Sequence, residues 1–145
     1  MPRRDEARLG RLLRVRALQL DQARAEEMAA AERASSAHAL AARIASLSQD
    51  VAPRAGPDQG VALFAAAHYR QRLARSHEEA QRRVIAASRQ LDSAREATGA
   101  AKRDHGAIEK LIERELDAQA IDARRALENA PHPVQALARS LLRSG

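Results

Sequence analysis

Five histidines and one column of carboxylates are the side chains in this sequence that could hold a metal or move a proton. The histidines are His38, His68, His77, His105 and His132, and no two of them stand three or four residues apart, the helical spacing that brings two imidazoles onto one metal. His105 and Glu109 are four apart and could form one edge of a metal site. A solvated helical ion pair satisfies the same two groups without a metal. Glu109, Glu113 and Asp117 make an acidic column one helical turn apart, but acid and base chemistry needs a concave, dry pocket around it. No Gly-rich phosphate loop, HExxH motif or nucleophile elbow occurs. With no cysteine, thiol nucleophiles, thiolate metal sites and disulfides are excluded. The residues point to a non-enzyme with no cofactor and no small-molecule substrate.

Charge suggests what such a chain would meet. The net charge is +6, and arginines are concentrated from Arg3 to Arg16 and from Arg70 to Arg89, which suits an acidic partner surface. Nucleic acid is one such partner. A basic zipper, however, runs a basic helix straight into a leucine seam, whereas the residues after these first arginines place mostly alanine at seam positions.

The elements follow from where proline is absent. Arg3 to Ala52 contains none, nor does Asp58 to Ala130, so a helix over about 4–52 and another over about 59–129 are predicted. Between them, "QDVAPRAGPDQG" packs Pro53, Gly56, Pro57 and Gly60 into a turn at about 53–58, too short to link independent domains. About a quarter of the 145 residues are alanine, 30% are charged and only one Phe and one Tyr are present. That is the composition of a long helix or coiled coil, not of a thick globular core.

A heptad frame places Leu9, Leu13, Leu20, Ala23, Ala30, Ala34, Ala37, Ala41, Ile44 and Val51 at a and d of the first helix, interrupted by Arg16, Glu27 and Ser48. The second helix offers Leu63, Ala66, Leu73, Ala80, Val84, Ala87, Leu91, Ala94, Ala101, Ile108 and Ile112. The expected fold is all-α: a single domain over 1–145, built as an antiparallel two-helix coiled coil, or long helical hairpin. A short C-terminal helix or tail is expected at about 133–143. There Val134, Leu137, Ala138 and Leu141 repeat at i, i+3, i+4 and i+7, and this segment either folds back or binds elsewhere. Folding about a tip near Arg54 to Pro57 would leave the longer helix unpartnered from about Ile108 to Leu127, where Ile108, Leu111, Ile112, Leu116, Ile121 and Leu127 gather. No signal-like or membrane-spanning run is apparent, so a soluble, unexported chain is expected.

Three stretches carry a resemblance. "RLGRLLRVRALQLDQARAEEMAAAE" resembles the opening of FliJ, the flagellar type III export stalk and chaperone family, where a Leu- and Arg-rich start leads into a long Ala-rich helix. "KRDHGAIEKLIERELDAQAIDARRALE" is similar to that family's C-terminal helix, and "HYRQRLARSHEEAQ" to the start of its second helix. The family's chains usually end in acidic residues soon after the long helix; this chain continues through Pro131 and Pro133 into a basic tail.

The resemblance implies a cytoplasmic, non-enzymatic coiled coil, peripherally associated with the inner membrane through the export apparatus. Its implied partners are the export ATPase hexamer, the membrane export gate protein and the export chaperones. Tyr69 and Leu73 match the family's gate-facing aromatic and Leu positions. Arg11, Arg14 and Arg16, with Glu109, Lys110 and Leu111, lie where the end facing the ATPase ring would be, and the apolar Ile108 and Ile112 join them. A generic structural coiled-coil adaptor and a basic nucleic-acid-binding coiled coil are the other readings of the sequence.

Overall fold

The computed structural model describes residues 2–50, 59–131 and 133–144, with the side chains of residues 2, 59 and 133–136 excepted. It contains three helices: α1 at Pro2–Asp50, α2 at Gln59–Asn129 and α3 at Pro133–Arg143. Among the described residues there is no strand. Ala, Leu, Arg and Glu all favour helix, and no proline interrupts α1 or α2 after its first residue. Helices of 49 and 71 residues draw their stability from packing along their length, and α1 and α2 pack against each other as a helical hairpin. The expected bend at about 53–58, and Val51 of the heptad frame, lie outside the described residues.

Contacts group the chain into two units, Ala17–Arg103 and Met1–Arg16 with Asp104–Gly145. Within Ala17–Arg103 the helices run antiparallel. The Thr98 hydroxyl lies 3.2 Å from the Ala23 carbonyl, and four residues further along α1 Glu27 faces Arg95, three residues back along α2, at 4.0 Å. The heptad frame marks the packed face: Leu20, Ala30, Ala34 and Ala41 of α1 and Leu73, Ala80 and Ala94 of α2 are buried. Off-frame apolar neighbours such as Leu18, Met28 and Ile85 stay exposed.

Alanine at the seam lets two helices approach closely and buries little area in return. Only Leu20 and Leu73 contribute a buried side chain larger than Thr98 among the described residues. On α2 the frame continues through residues the apolar pattern passed over. His77, Thr98, His105, Glu115 and Gln119 fall on the same three-and-four spacing, and all are at least half-buried.

The expected overhang is corrected in the second unit. There Arg16 pairs with Asp104 at 3.3 Å, and a shallow hollow is lined by Arg3 and Glu6 of α1 together with Glu115, Ala118, Gln119 and Asp122 of α2. Ile108 and Ile112 are half-buried, as are Leu9 and Leu13, so α1 partners α2 where no partner was expected. The physical reason is register. Halfway between Ala23 and Thr98 lies Gly60, inside α2 and past the turn residues about which symmetric folding was expected. The unpaired length is therefore shared between the start of α2, where Gly60 to Ala65 are all exposed, and the stretch from Ala120 to Pro131, also exposed throughout.

Candidate interaction surfaces

A two-helix seam of alanines has no enclosed interior, and the hollows it forms are open grooves. In the Ala17–Arg103 unit one groove is lined by Ala29, Ala37, Leu40, Ala86 and Ala87 together with Glu32, Arg33 and Arg83. In the other unit, His105 Nδ1 lies 2.8 Å from Glu109 Oε1, the helical pair that the spacing suggested. No group of three His, Cys, Asp or Glu side chains able to hold a metal occurs among the described residues.

The residues expected to face the ATPase ring all belong to the Met1–Arg16 and Asp104–Gly145 unit. Arg11, Arg14, Lys110 and Leu111 are exposed, as is Glu109. Arg16 is half-buried and engaged with Asp104, while Ile108 and Ile112 point into the seam and are half-buried. The accessible apolar side chains of this stretch are instead Leu111, Leu116, Ile121 and Leu127. Leu111 and Leu116 stand off the a and d columns that α1 covers, and Ile121 and Leu127 lie in the stretch from Ala120 to Pro131 that is exposed throughout.

Of the two residues expected to face the gate, Tyr69 is exposed and Leu73 is buried at 9% relative exposure. Tyr69 stands four residues ahead of Leu73, on a stretch whose side chains are open to solvent. Val61 and Phe64, at 75% and 77% exposure, share that stretch and were not among the expected contacts. Phe64 is the chain's one phenylalanine and lies outside the heptad frame. That combination was the available signal, since a large aromatic off the seam has no intramolecular use.

Other features of the described residues bear on stability more than on recognition. Thr98 is buried at 5% and donates within reach of both the Ala94 and Ala23 carbonyls. His77 Nδ1 and Gln119 Nε2 are buried without a hydrogen-bond partner. No helix among the described residues is long and apolar enough to cross a membrane. Compared with known proteins, the chain matches no family model, no curated protein and no solved structure.

Proposed function

We propose that this chain is a non-enzymatic stalk of a bacterial flagellar type III export apparatus, binding the export ATPase ring and the membrane export gate and escorting export chaperones. On this reading it works in the cytoplasm and meets the inner membrane through the apparatus. The observation that carries the proposal is two groups among the exposed large apolar side chains: Leu111, Leu116, Ile121 and Leu127 in one unit, and Val61, Phe64 and Tyr69 in the other. A structural hairpin with no recognition task has no use for them. The resemblance of the three quoted stretches supplies the identity of the partners.

The mechanism is differential contact. A ring of ATPase subunits in different nucleotide states presents unequal surfaces to one asymmetric stalk, and the stalk's preference for one state shifts the population of the others. The accessible leucines and the arginines Arg11 and Arg14 make that contact, and Ile108 and Ile112 hold the helices that present it. Tyr69, with Val61 and Phe64, makes the contact with the gate, and Leu73 positions that stretch from within the core.

Replacing Leu116 and Ile121 with serine tests the reading, because both lie outside the seam. The expected result is loss of ATPase stimulation and of motility with helicity unchanged by circular dichroism. Full stimulation and motility in that variant would overturn it.

A further inference from the structure

Helix α3 differs from the other two in kind. Its apolar and polar residues separate to opposite faces far more strongly than those of α1 or α2, while its mean hydropathy stays low. Around the helix, Leu137, Leu141, Ala138 and Leu142 fill one continuous arc, and Arg139 and Arg143 lie on the other side. Leu137, Leu141 and Leu142 are exposed at 65%, 73% and 82%. From Ala130 to Gly145 the chain carries two arginines and no carboxylate side chain.

We propose that α3 is an interfacial helix that lies on an anionic lipid surface, its leucines in the boundary between headgroups and acyl chains and its arginines among the phosphates. Strong facial separation, low overall hydropathy and basic residues on the polar face are the combination that favours lying in a membrane interface over spanning it. Charge complementarity selects anionic lipid. Both arginines attract it, the stretch from Ala130 to Gly145 carries no acidic side chain to oppose them, and the chain's net charge of +6 acts in the same direction. A protein groove accepts a few anchors at fixed spacing, whereas a bilayer accepts the whole arc, and here the arc is unbroken. Eleven residues with three leucines hold a membrane weakly and reversibly, as a single anchoring signal does. The inference stands apart from the stalk reading, since it holds or fails on vesicles alone.

The test is flotation of the full-length chain with phosphatidylcholine vesicles that contain or lack phosphatidylglycerol. The chain should float with the anionic vesicles and not with the neutral ones. Replacing Leu137, Leu141 and Leu142 with serine should lower binding at least about tenfold, and replacing Arg139 and Arg143 with glutamine should lower it by about fivefold or more. Circular dichroism should show α1 and α2 unchanged in both variants. Equal flotation of the serine variant would mean that basic residues elsewhere adsorb the chain, and would overturn the proposal. So would absence of flotation, including the case in which α3 supports self-association that the serine variant loses, which would assign the leucines to a protein surface.

Discussion

The hydroxyl of Thr98 on α2 lies 3.2 Å from the backbone carbonyl oxygen of Ala23 on α1, and 3.0 Å from the carbonyl of Ala94 one turn back on its own helix. One proton is shared between two carbonyls, and a side chain this short reaches the neighbouring backbone only where the helices come close. Replacing Thr98 with valine keeps the shape and removes the donor. The expected cost is about 0.5–1.5 kcal/mol, measurable by urea unfolding; an unchanged midpoint would show that the interhelical bond contributes nothing.

Ala30 has no exposed surface at all. Leucine at that position inserts three carbons where the seam has no room, and forcing helices apart typically costs about 1–3 kcal/mol. Thermal melting of Ala30→Leu should show a lower midpoint than the parent. A higher one would mean that the alanine seam is under-filled and not close-packed.

Leu73 and Tyr69 should separate stability from recognition. Leu73→Ala removes one of the few large buried side chains, and such truncations cost about 2–5 kcal/mol. Tyr69→Ala, at an exposed site, should change stability by no more than about 0.5 kcal/mol while weakening binding to the gate. Chemical denaturation alongside a pull-down with the purified gate domain measures both, and a stability loss confined to Tyr69→Ala would reverse the two roles.

Gly106 sits inside α2, and a Cβ added there meets nothing within 4 Å. Alanine should therefore stabilise the helix by about 0.5–1 kcal/mol through lost unfolded-state freedom. A destabilised Gly106→Ala variant would indicate that this position needs glycine for a partner contact.

Asp104→Asn removes one charged partner of Arg16, in a pair whose side chains are 38% and 55% exposed. Its effect on stability should stay below about 1 kcal/mol and shrink as salt is added. A larger, salt-independent loss would make this pair a determinant of register.

How much of this was legible in the sequence depends on which information is local. Helix content and the packed face were legible because a three-and-four spacing is written along a single segment: Leu20, Ala30, Ala34 and Ala41 stand in the frame and are buried. Register was not, because an alanine column reads the same after a slip of one heptad, and turn chemistry near Pro53 to Gly60 locates a bend without fixing which residues pair across it. The residues that do distinguish one register from another are polar, among them Thr98, Glu27 with Arg95, and Arg16 with Asp104. The apolar pattern passes over them. Of the residues expected to meet partners, Tyr69 and Leu111 are exposed, whereas Leu73, Ile108 and Ile112 stand in the heptad frame and lie in the seam, the two isoleucines because the register brings α1 alongside them.

A seam made of alanine also sets how the chain responds to heat. Among the described residues the buried apolar side chains are five alanines with Leu20 and Leu73, so unfolding uncovers comparatively little apolar surface that is new. Heat-capacity change and urea dependence both scale with that newly uncovered surface. The chain should unfold with a heat-capacity increment below the roughly 12–15 cal/mol/K per residue of globular domains, along a stability curve that is shallow across temperature.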